Sequence, residues 1–286
     1  MFYREPKFSV QGSKFQVDPV PFMRTLKLTL AYDGTAYAGW QRQQNGLAIQ
    51  QVIEEALAPM TTRGGAEARR DAEARRDAEG RRGVPTIAGA GRTDAGVHAL
   101  GQVASVHVEF DYAPSAVQRA LNIRLPADIR VVGVVDATPG FHAQYHARGK
   151  TYRYRIATTP VQSPFDRWFV WHAPMPRDLD AMRRAAALCV GTHDFASFQG
   201  RGTSVTGTVR TLARCDVREH AGEITVEVEG DGFLRHMVRI IVGTLSEIGA
   251  GVRSVDSMAA MIEARDRSSA GLTAPASGLT LLSVRY

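Results

Sequence analysis

The first regular stretch of the chain alternates apolar and polar positions. Leu26, Leu28 and Leu30 lie on one side of residues 24–34, and this period of two predicts a β-strand. The rest of the first half mixes periods of two with helical spacing. It predicts a helix, two strands, a helix and a strand, in that order, at residues 45–60, 86–90, 102–110, 114–125 and 128–138.

The second half repeats this rhythm in pattern but not in sequence. It predicts a strand, a helix, a hairpin of two strands, two helices and a terminal strand, at residues 150–159, 178–190, 208–220, 223–230, 233–249, 255–266 and 278–286. Two such halves indicate an α+β protein made of two ferredoxin-like (RRM-like) antiparallel-sheet domains. We predict these domains at residues 24–136 and 137–286, after an N-terminal extension at 1–23, with the active-site cleft between them.

One segment fits neither domain. Residues 61–83 repeat the motif RRDAE and contain seven arginines and five acidic residues, with no aliphatic side chain larger than alanine. Because nothing in it can be buried, we predict a surface insertion that is a solvated helix or disordered. An arginine-rich arm that touches RNA is the alternative, although the acidic residues nearly balance the arginines.

Composition narrows the class of protein. The chain has 286 residues, 44% of them hydrophobic, and a formal net charge of +6 that comes mainly from arginine, since lysine occurs only four times. Arginine suits phosphate and stacks on bases, so this charge favours a polyanionic partner. With no long apolar run and no secretory signal, the sequence predicts a soluble, cytoplasmic chain without a membrane segment. Two cysteines without CxxC spacing exclude a disulfide framework and a cysteine-rich zinc site.

The usual cofactor motifs are missing. The sequence has no GxGxxG after a strand, no P-loop, no HExxH and no zinc deaminase signature. The eight histidines are scattered singly, as His107 is on a predicted strand, and this favours structural roles over metal binding.

The segment GAGRTDAGVHALGQV, residues 89–103, contains the most suggestive chemistry. Its glycines allow a tight backbone that can approach a substrate closely, and Arg92 and Asp94 stand two positions apart. Two interpretations are open. The two side chains form a surface pair across a hairpin, or Asp94 is a nucleophile kept ionised by cationic neighbours.

Three further segments combine basic and aromatic residues. Residues 31–43 place Arg42 among tyrosines and a tryptophan, and residues 141–156 place Arg148 among aromatic rings. Residues 230–243 are predicted to open a helix with Arg235 and Arg239 four apart on one face. Basic and aromatic side chains together favour RNA with unstacked bases as the partner.

These segments, in order, resemble the bacterial TruA family of tRNA pseudouridine synthases. The resemblance rests on YDGTAYAGWQRQ, AGAGRTDAGVHALGQV, NIRLPADIRV, FHAQYHARGKTYRYRI, HDFASF, GFLRHMVRIIVG and ASGLTLLSV, and it covers residues 24–286. It implies conversion of uridine to pseudouridine at positions 38, 39 and 40 of the tRNA anticodon stem and loop. It also implies a homodimer that binds one tRNA across both subunits and uses no metal or organic cofactor.

The resemblance also implies roles for individual residues. Asp94 corresponds to the nucleophile, Arg92 to the arginine that extrudes the target nucleotide and holds its phosphate, and Tyr152 to the tyrosine that stacks on the base. Arg239 corresponds to the arginine that pairs with the aspartate. The basic and aromatic segments add three expected substrate-binding residues, Arg42, Arg148 and Arg235.

Two other functions compete with this interpretation. One is a tRNA-binding protein or chaperone of the same fold that lacks activity. The intact GRTD motif argues against this alternative. A different RNA-modifying enzyme, such as a methyltransferase, would need a cofactor loop that the sequence lacks.

Overall fold

The computed structural model describes residues 23–61, 85–202 and 207–286. The helices of these residues are α1 (Ile49–Thr61), α2 (Pro114–Arg124), α3 (Leu179–Ala187), α4 (Met237–Gly249) and α5 (Ser257–Ala264). The strands are β1 (Arg24–Tyr32), β2 (Ile87–Gly89), β3 (His98–Val108), β4 (Ile129–Asp136), β5 (Gly149–Ala157), β6 (Trp171–His172), β7 (Gly191–Asp194), β8 (Val209–His220), β9 (Glu223–Gly230) and β10 (Leu279–Arg285). Within the described ranges, no helix combines the length and apolar character that crossing a membrane requires.

The strands form one continuous sheet in the order β4-β1-β3-β10-β5-β9-β8-β7, with β2 paired to β3 and β6 paired to β5. Strands from the first half of the chain occupy one end, and strands from the second half occupy the other. The two ends meet where β10 pairs in parallel with β3, through Thr280 opposite His98 and Leu281 opposite Ala99. The protein is therefore a mixed α+β fold in which the start of β3 lies at the centre of the sheet.

Most predicted elements are present. The alternation in residues 24–34 produces β1, whose three leucines are fully buried. The short strands β6 and β7 were not predicted, because two and four residues are too few to show a period. The predicted N-terminal extension and insertion lie almost entirely outside the described residues, so both stay predictions.

The helices cover the sheet at separate places. Helix α2 packs on β4, whereas α3 packs on β8 and on α4. Helix α4 is apolar on nearly all sides, and most of its side chains are buried. Arg239 is a charged residue of this helix, and it points to the centre of the sheet.

Candidate active site

The loop between β2 and β3 holds Asp94 in a fixed backbone. Trp40 N donates to Thr93 O at 3.0 Å, and Val97 N donates to Asp94 O at 3.1 Å. The turn that reaches the loop contains Gly39 with φ +99°, where an added Cβ would lie 2.6 Å from Thr93 O. Only glycine fits this approach, so the turn and the loop are locked together.

The carboxylate of Asp94 faces cationic and imidazole groups of the second half of the chain. Its Oδ2 lies 3.2 Å from Arg239 Nη1 and 3.6 Å from His236 Nε2. The Asp94 side chain is 27% exposed and that of Arg239 is 15% exposed. Asp94 therefore stays reachable while its charge is balanced by a mostly buried guanidinium.

The packing of α4 fixes where Arg239 points. A Cβ on Gly243 would lie 1.9 Å from Leu272 O, so glycine lets the segment at 270–274 pass directly against the helix. Ala274 in that segment accepts a hydrogen bond from Arg239 Nε at 2.8 Å. With Nε engaged in this way, Nη1 is directed toward Asp94.

The prediction that Arg235 and Arg239 share one face of a helix is wrong. Helix α4 begins at Met237, because His236 has a left-handed backbone with φ 61°. Arg235 thus precedes the helix, and its Nη1 donates to the carbonyl oxygens of Arg201 and Gly202 at 3.0 and 3.2 Å. The same backbone turn brings His236 beside Asp94.

His236 and Tyr32 are two further site residues, which the local sequence pattern does not indicate. Burial lowers the pKa of His236, with the nearby arginines acting in the same direction and Asp94 opposing them. Tyr32 OH bonds to Thr93 Oγ1 at 2.8 Å, and burial raises its pKa to about 12. Both residues lie in segments already noted for aromatic and basic character. Their nearness to Asp94 depends on the tertiary fold, however, and cannot be predicted from the local sequence.

Tyr152 lies on β5, close enough to Asp94 for the charge of that carboxylate to act on its phenol. It is 7% exposed, and its ring meets Phe233 edge to face at 5.1 Å between centroids. Burial raises the pKa of Tyr152, and the charges of Tyr32 and Asp94 add to the effect. The phenol is therefore neutral at physiological pH.

The other predicted substrate residues lie in different surroundings. Arg92 and Arg148 are exposed, and within the described part of the chain no carboxylate pairs with Arg92. The interpretation of Arg92 and Asp94 as a surface pair therefore finds no support. Arg42 Nε lies 3.3 Å from the fully buried Glu54, so this arginine balances a core carboxylate. Arg42 also borders an open groove of about 630 Å³.

Among the described residues, no cluster of three or more histidine, cysteine or acidic side chains could hold a metal ion. The chemical groups gathered at the site are one carboxylate, one guanidinium, one imidazole and two phenols. This set can stabilise an ionised nucleophile beside a planar ring.

His98, at the start of β3, leads to a prediction about acid stability. It is 3% exposed, and its Nδ1 accepts a hydrogen bond from Gly34 N at 3.0 Å. Burial lowers the pKa of His98, which the adjacent Asp33 opposes. The unfolded chain, with an ordinary histidine pKa of about 6.5, therefore takes up a proton more readily than the folded chain as the pH falls. We expect the free energy of unfolding to decrease below about pH 6.5.

Urea unfolding at pH 7.5 and pH 5.5 measures this effect. His98→Gln, which keeps an acceptor for Gly34 N, is expected to lose less stability between the two pH values than the unsubstituted protein. Equal losses in both proteins would contradict a role for His98.

Comparison with known proteins places this chain in a family. The sequence matches a family model described as tRNA pseudouridine synthase over residues 29–146 and 185–286. These two ranges include Asp94, His236 and Arg239.

Curated relatives match over nearly the whole chain. A tRNA pseudouridine synthase A from Syntrophotalea carbinolica is 43% identical over 264 residues, which covers 92% of this chain and 97% of the relative. The tRNA pseudouridine synthase A 1 of Protochlamydia amoebophila is 41% identical, with coverage of 92% and 97%. The tRNA pseudouridine synthase A of Pelobacter propionicus is 41% identical, with coverage of 92% and 100%. The chain belongs to the tRNA pseudouridine synthase family.

Proposed function

We propose that this protein isomerises uridine to pseudouridine at positions 38, 39 and 40 of the tRNA anticodon stem and loop, with Asp94 as the nucleophile. The observation that carries the proposal is the Asp94 carboxylate, held 3.2 Å from Arg239 in a chain of this family and reachable from solvent. The neutral ring of Tyr152 beside it supports the same role.

The reaction needs few catalytic groups. It breaks the bond from ribose C1′ to base N1, turns the base, and joins C1′ to C5; the C5 hydrogen leaves as a proton and N1 gains one. Two routes begin from an ionised Asp94, one by addition to C6 of the uracil and the other by attack at C1′. In both, Arg239 balances the charge that Asp94 carries before it bonds to the substrate.

The target nucleotide must leave the RNA stack to reach Asp94. Unstacking a base costs a few kcal/mol, and stacking on an aromatic side chain returns about 1–3 kcal/mol per base. In this proposal Tyr152 supplies that aromatic ring, and Arg92, which is exposed and precedes Asp94 by two residues, holds a phosphate of the extruded nucleotide. Arg42, Arg148 and Arg235 are proposed to contact the RNA farther out.

The architecture and partners form part of the same proposal. Residues 24–136 and 137–286 are two ferredoxin-like domains joined edge to edge, and the cleft between them receives the anticodon arm. Support comes from the origin of the site, since Asp94 belongs to the first half and Arg239 to the second. A cytoplasmic homodimer that uses neither metal nor organic cofactor completes the proposal.

Tritium release from transcripts labelled at C5 of uridine tests the function. We expect release from transcripts that carry uridine at only one of positions 38, 39 or 40, with and without EDTA, because removal of the C5 hydrogen accompanies each isomerisation. The matched control transcript has no uridine at these three positions. Binding of all transcripts without any release would favour the inactive tRNA-binding protein instead.

A further inference from the structure

The basic residues of β5 divide between its two sides. Arg153 and Arg155 point to one side, where each has a carboxylate partner. Arg153 Nη2 lies 2.6 Å from Glu227, and Arg155 Nη2 lies 2.7 Å from Glu223. These arginines are already neutralised, so the run of basic residues in TYRYRI does not form a free cationic surface on that side.

Lys150 lies on the opposite side of β5, the side of Tyr152. Side chains two residues apart in a strand share a face about 7 Å apart, so Lys150 flanks the proposed stacking ring. Within residues 23–61, 85–202 and 207–286, no carboxylate pairs with Lys150. Burial lowers the pKa of its ammonium, and the charge of Arg210 lowers it further.

The Lys150 ammonium also touches the loop that carries Asp94. A Cβ on Gly91 would lie 2.9 Å from Lys150 Nζ, so glycine at this position leaves room for the ammonium. Gly91 O in turn accepts a hydrogen bond from Gln102 Nε2 at 2.9 Å. The ammonium thus lies next to Gly91, which precedes the proposed nucleophile Asp94 by three residues. A hydrogen bond from Gln102 holds the backbone of the loop at this point.

Arg210 approaches the same place from β8. Lys150 pairs across the sheet with Gly230, which pairs with Leu212. Gly230 has no side chain, and Arg210 lies two residues before Leu212 in β8. Arg210 Nη1 donates hydrogen bonds to the backbone oxygens of Gly207 and Val209, at 3.0 and 2.6 Å. Lys150 and Arg210 are therefore close enough for their charges to interact, and among the described residues no carboxylate forms an ion pair with either.

We propose that Lys150 and Arg210 form an anion-binding subsite for a backbone phosphodiester of the RNA, next to the nucleotide that enters the Asp94 site. The inference rests on the proposed function and names a contact within it. A phosphodiester supplies the negative charge that this pair lacks, and its position beside Tyr152 matches a phosphate that flanks the stacked base. Lys150 is then a positioning residue that fixes the register of the RNA strand.

The test uses an anticodon stem-loop RNA with a single uncharged methylphosphonate at each linkage around the target uridine. For the unsubstituted protein, we expect one linkage at which the modification weakens binding about 10-fold. Lys150→Met is expected to bind the unmodified RNA about 10-fold more weakly and to be insensitive at that linkage. For Lys150→Met, the slope of log Kd against log salt concentration should be lower than that of the unsubstituted protein by about 0.7–0.9. Lys150→Arg should keep the sensitivity.

Two variants complete the design. Arg210→Met removes the second cation and should reduce the loss of binding that a methylphosphonate at the same linkage causes. This variant keeps the test informative if Lys150→Met folds poorly. Arg218→Met serves as the control, because Arg218 lies on the same strand and its side chain is 71% exposed, paired with Asp216. Its binding profile should match that of the unsubstituted protein.

The inference is overturned if folded Lys150→Met and Arg210→Met both keep the salt slope and the linkage profile of the unsubstituted protein. Lower turnover of Lys150→Met with an unchanged linkage profile overturns it too, because that result indicates support of the Gly91 backbone alone. Neither result affects the proposed function, which fails separately if the unsubstituted protein binds the RNA without releasing tritium.

Discussion

Replacing Asp94 by asparagine is expected to abolish tritium release from C5-labelled tRNA, lowering turnover by at least about 10³-fold. Asparagine keeps the shape of the side chain and can still accept a hydrogen bond from Arg239. It has no negative charge, however, and cannot form the bond to C6 or C1′ that either route requires. Binding of tRNA should stay within a few fold, because the loss removes a negative charge from a site for a polyanion.

Single-turnover tritium release at saturating enzyme, together with a separate binding titration, separates these two effects. Asp111→Asn is a matched control, since that carboxylate is 85% exposed and lies 3.8 Å from Arg24, away from the site. A variant at Asp94 that retains more than about one per cent of the rate would show that another group performs the nucleophilic step.

Much of the fold could be predicted from hydrophobic periodicity, because strands such as β1 and β9 have one buried face. The leucines of β1 and the valines of β9 alternate as a half-buried sheet requires. The residue at which α4 begins could not be predicted from the local sequence. Residues 233–236 have helix-forming composition, but His236 adopts a left-handed backbone beside Gly200, where an added Cβ would lie 2.7 Å from His236 Nδ1. That conformation is set by tertiary packing, not by local propensity.

The site shows the same limit more clearly. Local sequence marks the glycine-rich loop and Asp94, since a tight backbone around one acid is visible without a structure. The pairing of Asp94 with Arg239 spans 145 positions and was expected only through the family resemblance.

Charge on the basic strand was harder still to interpret from sequence. Arg153 and Lys150 look equivalent in the string GKTYRYR, and only the pairing of β5 with β9 shows that Glu227 neutralises one of them. Free positive charge is therefore a property of the sheet register and not of composition.

Arg239→Met is the second substitution with a large expected effect. We expect turnover to fall by about 10- to 150-fold, because a charge-assisted hydrogen bond to a catalytic carboxylate contributes about 1.5–3 kcal/mol. Loss of the guanidinium leaves Asp94 beside His236, and burial, the largest cause of that imidazole's lowered pKa, still disfavours a positive charge there in the variant. Arg239→Lys should recover part of the rate, since it restores the charge but loses the hydrogen bond to Ala274 O.

A double-mutant cycle identifies whether Arg239 acts through Asp94. If it does, adding Arg239→Met to Asp94→Asn should lower the remaining rate by less than about 3-fold, since the charge that the arginine balances is already absent. The readout is the rate at saturating tRNA, with thermal unfolding of each variant measured in parallel and Arg218→Met as the control. Loss of thermal stability with an unchanged rate would assign Arg239 to packing of the segment at 270–274. Full additivity in the double variant would mean that Arg239 stabilises the transition state independently of Asp94, for example by contacting the substrate directly.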